Sequence, residues 1–218
     1  MNSYKNIFLN RTDAAQKLKE ILPLQQLKEE QWNIVAVSRA GLELGKIIKA
    51  KHANHLDILF SEAIMAPNNA ECEVARVSEN EEIVLNEKLI DSFDIQYDYI
   101  YGEAHRKHEE DILSYIYQYR KGEPFPNMQD KVVMLVDDGS ETGSKFMTAL
   151  KTILVQKPKA VYIAVPVIPS EVLELLESFV DEIFFLYDIV DYVDTPLYYK
   201  DFQEIEDEKL EKLLEEDR

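Results

Sequence analysis

Residues 137–145 read Asp137, Asp138, Gly139, Ser140, Glu141, Thr142, Gly143, Ser144 and Lys145, and they follow directly on the apolar run VVMLV. Two adjacent carboxylates accept hydrogen bonds and donate none, so they suit a sugar diol and repel a phosphate. The small hydroxylated stretch after them suits the opposite partner. Where a helix starts at its end, free backbone N–H groups and the positive end of the dipole favour an anion, with the Lys145 ammonium at hand. A diol site upstream and a phosphate site downstream together describe a ribose 5-phosphate. An N-capping turn accounts for the same residue types, with Ser140 or Thr142 as the cap and both aspartates complementing the dipole. Spacing alone leaves both readings open.

The other residues with chemical potential read more plainly. His105 and His108 lie three apart in the charged run HRKHEED without a third partner, which describes a solvated helix face and not a metal pair. His52 and His55 sit beyond a helical pattern and read as cap or surface residues. The single cysteine, Cys72, leaves no internal disulfide and reads as a small apolar strand residue in a reducing compartment.

The elements that hold residues 137–145 alternate between strand and helix. NIVAVS, from Asn33 to Ser38, is rich in β-branched residues and precedes helical periodicity from Ala40 to Ala50; Leu56 to Phe60 closes a first βαβ unit. Farther on, strands are expected over Lys131 to Val136, Ala160 to Val165 and Glu182 to Leu186, with helices over Gly143 to Gln156 and Ser170 to Phe179. This rhythm means a parallel sheet of about five strands, buried on both faces, so that VVMLV and VYIAV are nearly continuous in apolar residues. Ligands of such sheets bind beyond the carboxyl ends of the strands, where residues 137–145 and Ser38, Arg39, Ala40 and Gly41 fall.

Around that core, residues 13–31 read as two short helices interrupted by Pro23, and Tyr97 to Arg120 as one long helix with Ile100, Ala104, His108 and Ile112 on one face. Residues 61–96 carry extended pieces near Cys72 to Val77 and Glu82 to Leu85 and suit antiparallel strands and loops. The tail ends in an acidic helix. We expect one domain over residues 1–218, with a core at about 30–190, a flap at about 61–96 and a hood from 1–30 and 191–218.

Composition bounds the partners. With 42 acidic against 24 basic residues and a formal net charge of −18, the field repels nucleic acid and anionic lipid. A small anionic substrate would need a local site of amides, helix dipole or metal. The amino terminus lacks the apolar core of a signal peptide and no segment is long enough to span a bilayer, so a cytoplasmic protein is expected. The twelve tyrosines suit core and subunit contacts, and a homodimer is expected.

Residues 132–145 resemble the phosphoribosyl pyrophosphate signature of type I phosphoribosyltransferases: an apolar run, two adjacent acids, two variable residues, a small or acidic residue, then Thr-Gly. Most of the chain is similar to a bacterial branch of that family. The likeness extends to VLNE from Val84 to Glu87, the long central helix, AVPVIP from Ala164 to Pro169 and a Tyr-x-Asp-Phe tail from Tyr199 to Phe202. The branch carries Pro-Arg-Gly-Gly after its first strand, where this chain has Ser38, Arg39, Ala40 and Gly41.

The resemblance implies an α/β fold with a central parallel sheet, a flap and a small hood. It also implies displacement of pyrophosphate from phosphoribosyl pyrophosphate by a small nitrogenous base, and Glu141 tips the choice of base towards a purine. Asp137 and Asp138 would bind the ribose hydroxyls, Gly139 to Lys145 would cradle the 5-phosphate, and Ser38 to Gly41 would hold the pyrophosphate. Glu141 and Asp138 would be the catalytic carboxylates, and Mg²⁺ would be held near Asp137 and Asp138 through ribose or water. The chain departs from its relatives at Ala40, where they have glycine, and at Ser61-Glu62, where they have Arg-Lys. Those departures motivate an alternative: a regulator that binds phosphoribosyl pyrophosphate or a nucleotide without turnover.

Overall fold

The structure is a computed structural model that describes residues 5–49, 53 and 55–215. The expected end of the helix at Ala50 and the reading of His52 lie outside these residues.

Five parallel strands form the central sheet in the order β2-β1-β6-β7-β8, with β1 Asn33–Ala36, β2 His55–Ile58, β6 Val132–Val136, β7 Ala160–Pro169 and β8 Glu182–Ile189. Every residue of β1 and β6 is buried. Alternation explains the unbroken apolar runs. Ile34, Ala36, Met134 and Val136 face one core, with Leu42 and Ile48 of helix α3 (Arg39–Lys49). Val35, Val133 and Leu135 face a second, with Phe146 and Leu150 of α7 (Ser144–Leu154) and Leu176 of α8 (Ser170–Glu177).

Helix α3 lies close against the sheet because two of its residues have no side chain. A Cβ at Gly41 would fall 2.3 Å from the Val136 carbonyl oxygen, and one at Gly45 would fall 2.7 Å from Leu56 Cδ1. Both β7 and β8 outlast their expected ends, since their pairing continues through Pro169 opposite Ile189.

A separate antiparallel sheet, β3-β4-β5, comprises Ser61–Ala66, Asn69–Ser78 and Ile83–Leu85. Strand β3 goes beyond the expected extended pieces, because SEAIMA opens on polar residues and its pairing with β4 is irregular at Met65. A short helix α4 (Glu87–Ser92) follows, capped by Asn86 Oδ1, which accepts from Leu89 N at 3.2 Å. The long helix runs as α5 (Tyr97–Lys107) and α6 (Leu113–Arg120), joined by a π-helical turn at His108–Ile112. That turn buries His108, whose Nε2 lies 3.1 Å from the Glu79 carbonyl oxygen.

The chain ends meet over β7 and β8. Helices α1 (Arg11–Ile21) and α2 (Leu24–Glu29) flank Pro23 as expected. Phe8 bridges Tyr199, and both pack with Val167, Ile189 and Tyr198 in a third apolar cluster. A 3-10 turn (Thr195–Tyr198) and a last helix, α9 (Asp207–Glu215), complete the described chain.

Candidate functional site

Strand β6 ends mid-sheet, and Asp137 leaves it fully buried. Its Oδ1 accepts from Ser38 Oγ and from Asp138 N at 2.9 Å, and its Oδ2 lies 3.2 Å from the Lys145 ammonium. Ser38 Oγ also accepts from Gly41 N at 2.9 Å. The hydroxyl that caps α3 therefore ties the end of β1 to the end of β6, as the close approach at Gly41 requires.

Asp138 is also buried, and Arg11 Nε of α1 donates to its Oδ2 at 2.7 Å. The Tyr199 hydroxyl donates to its backbone carbonyl. Burial, reinforced by the Asp137 charge, pushes the Asp138 carboxyl up to about 7, with Arg11 opposing the rise. The charge of Asp137 raises Lys145 in turn, against desolvation.

The loop before α7 uses some of its own hydroxyls. Ser140 Oγ accepts from Gly143 N at 3.1 Å, and Thr142 Oγ1 accepts from Ser144 N at 3.3 Å. Gly143 has φ +74°, and a Cβ there would meet Val172 at 2.9 Å. Among the described residues, the amides of Gly139, Ser140, Glu141 and Thr142 donate to no protein acceptor. Capping and anion binding are therefore compatible in this loop.

Glu141 turns towards the carboxyl-terminal segment. Its Oε1 accepts from Thr195 N at 3.3 Å, and burial, followed by a hydrogen bond shared with the Asp194 carboxyl, raises its pKa. A Cβ on Gly139 would lie 2.5 Å from Thr195 Cγ2, so this segment packs directly on the loop.

The residues after β1 divide. Ser38 bonds to the buried acid and Gly41 N to the Ser38 hydroxyl, whereas Arg39 pairs with Asp207 of α9 and lies 5.8 Å from the Tyr115 ring. Ala40 lies in the first turn of α3. At the Ser61-Glu62 departure, Ser61 accepts from Arg76 at 3.2 Å through its hydroxyl, and Glu62 stands 3.7 Å from the Lys107 ammonium. Arg76 itself is held by both carboxylate oxygens of Glu73, at 2.9 and 2.8 Å.

Three clefts meet at this site. One of about 540 Å³ is bordered by Arg11, Asp138, Glu141, Thr195 and Phe202. One of about 350 Å³ lies between the loop and β4, by Glu73, Arg76 and Ser140. One of about 190 Å³ lies by Ser38, Arg39, Glu62 and Tyr115. Lys145 borders all three. Another cleft of about 380 Å³ lies at the opposite, amino-terminal end of the strands, by Asn33 and His55, away from the paired acids.

Order and decoration of the sheet match a known architecture. Its central sheet is parallel, its separate sheet is antiparallel, and the acid pair leaves the middle strand. The fold is α/β, a five-stranded parallel sheet flanked by helices with a small antiparallel sheet beside it. A solved Thermus thermophilus protein, TT1426, is 28% identical, with 96% of this chain and 98% of that chain covered and a TM-score of 0.76. A hypoxanthine-guanine phosphoribosyltransferase from Bacillus anthracis is 13% identical, over 92% of this chain and 95% of that one, at a TM-score of 0.46. A Neisseria gonorrhoeae hypothetical protein with bound ppGpp is 11% identical over the whole of both chains, at 0.48. No family model matches the chain.

Arg11, Asp194 and Thr195 have no role legible in the sequence. Arg11 carries no local signal, since its partner is 127 residues away. Tyr199 and Phe202 do stand out in the tail motif, and they lie on the Asp138 carbonyl and over Arg11, whose guanidinium is 4.1 Å from the Phe202 ring centre. No group of three or more His, Cys, Asp or Glu among the described residues can hold a metal ion, and no helix among them is long and apolar enough to cross a membrane.

Proposed function

We propose that this protein transfers ribose 5-phosphate from phosphoribosyl pyrophosphate to a nitrogenous base and releases pyrophosphate. The observation that carries this reading is the pair Asp137 and Asp138 at the end of the central strand, followed at once by a loop with free amides at a helix start. In this reading the acids face the ribose hydroxyls and residues 139–145 take the 5-phosphate. Ser38 to Gly41 border the pyrophosphate, and the 540 Å³ cleft takes the base, a purine being favoured by Glu141.

The acceptor nitrogen attacks the anomeric carbon as the bond to the pyrophosphate oxygen breaks, and the proton lost from nitrogen passes to Glu141. A carboxyl raised by burial and by Asp194 holds that proton better than an ordinary glutamate would. Positioning and electrostatics supply the rest. We assign the antiparallel sheet as flap and the chain ends as hood, and assembly as a homodimer in the cytoplasm belongs to the same proposal. The expected Mg²⁺ finds both acids already paired with protein cations, so no step is routed through a metal.

A second reading, a regulator that binds without turnover, is favoured by the engagement of Arg39 with Asp207, which directs that guanidinium to the protein itself. Calorimetry with phosphoribosyl pyrophosphate, followed by a pyrophosphate-release assay against a panel of bases, separates the two. Binding with release supports the enzyme. Binding without release supports the regulator, and no binding overturns both.

A further inference from the structure

The paired acids carry up to two negative charges in a buried place, and the protein answers each with its own cation. Lys145 lies 3.2 Å from Asp137, whose side chain is 0% exposed, and Arg11 lies 2.7 Å from Asp138, whose side chain is 5% exposed. The two cations arrive from different parts of the fold. Lys145 sits in the first turn of α7, and Arg11 in the first turn of α1, held further by the Gln203 carbonyl and the Phe202 ring. A divalent ion brought to these acids would meet two positive charges within a few ångströms, at a cost in Coulomb repulsion that is large in a buried setting.

Lys145 differs from Arg11 in exposure. Its side chain is 36% exposed, and it forms a wall common to all three clefts. It can therefore keep its contact with Asp137 and still meet an anion arriving from the loop side, because an ammonium has three donors. This is the service that a bridging cation performs: one positive centre shared between a protein acid and a ligand phosphate.

Resting on the reading above, we infer that Lys145 and Arg11 take the place of a divalent cation at the paired acids, so that a phosphorylated ribose is bound without Mg²⁺. The local charge is then set by the fold and not by the metal in solution. The net charge of −18 attracts divalent ions to the surface in general, but these two cations hold them off this one place.

Calorimetry with ribose 5-phosphate and with phosphoribosyl pyrophosphate, each in EDTA and in excess Mg²⁺, tests the inference on the full chain. Affinity for ribose 5-phosphate is expected to be the same in both conditions. In EDTA, Lys145→Ser is expected to weaken it by about tenfold or more, the loss of a charge-assisted contact, with Mg²⁺ restoring part of the loss. Lys145→Arg, which keeps the charge, should bind in EDTA and guards against a folding artefact. Wild-type binding that vanishes in EDTA would overturn the inference and leave the proposed function standing. Absence of binding both in EDTA and in excess Mg²⁺ would overturn both.

Discussion

Arg11 Nε donates to Asp138 Oδ2 at 2.7 Å, joining the first turn of α1 to the loop after β6 with both side chains under one-tenth exposed. The contact links an end of the chain to the centre of the sheet. Breaking it from one side leaves a carboxylate buried without its cation. Arg11→Met should cost about 3–5 kcal/mol, and Arg11→Met with Asp138→Leu should cost less than the sum of the two single changes. Urea denaturation of the three variants measures this cycle, and strict additivity would show that the pair does not interact.

Asp138 also makes stability depend on pH. Its folded value, about 7, lies above the ordinary 3.8, so between those two values the folded state holds more proton than the unfolded state. The contribution of this group is fully present below 3.8 and is lost as pH rises to about 7. The expected trend is a fall in stability over that window that Asp138→Asn makes shallower. Thermal melts across the window check it, and an identical slope in the variant would refute it.

Two glycines on helices should respond with opposite sign. Gly41→Ala drives a Cβ to 2.3 Å from the Val136 carbonyl oxygen, a backbone atom that cannot swing aside, so α3 must move off β6. A loss of about 1–3 kcal/mol or more is expected, with weaker binding wherever Ser38 no longer reaches Asp137. Gly102→Ala, in the middle of α5, places its Cβ more than 4 Å from any atom of the described residues outside its own stretch of helix and should gain about 0.5–1 kcal/mol. Denaturant midpoints of the two variants provide the comparison.

Beneath the antiparallel sheet, Arg120 pairs with Glu79, the side chains being 4% and 1% exposed. Burial raises Glu79 despite Arg120, and among the described residues the Nε and Nη1 of Arg120 have no hydrogen-bond partner. Removing either charge strands the other. The double change Arg120→Met with Glu79→Gln should therefore be less destabilising than Arg120→Met alone. If the single variant proves the more stable, the pair contributes nothing at this position.

Much of the architecture is legible from short stretches. VVMLV and NIVAVS announce buried strands, and Pro23 separates α1 from α2, because apolar runs and a missing N–H act within a few residues. Less is legible where pairing or insertion decides. SEAIMA becomes β3 only against β4, and the π-helical turn at His108 brings its ring to the Glu79 carbonyl, 29 residues away along the chain. The reading of His105 and His108 as a solvated face rests on their spacing alone, whereas the burial of His108 is tertiary.

Residues 137–145 show the same division within the candidate site. Their identity, order and place after a buried strand follow from the sequence by itself, since strand, loop and helix start are set by neighbouring residues and by backbone groups that must find partners nearby. The side-chain partners do not follow. That Lys145 turns to Asp137, Arg11 to Asp138 and Arg39 to Asp207 was decided by tertiary structure. Long flexible cations settle wherever buried charge and close packing make a contact strongest, and Arg11 and Arg39 find theirs 127 and 168 residues away along the chain.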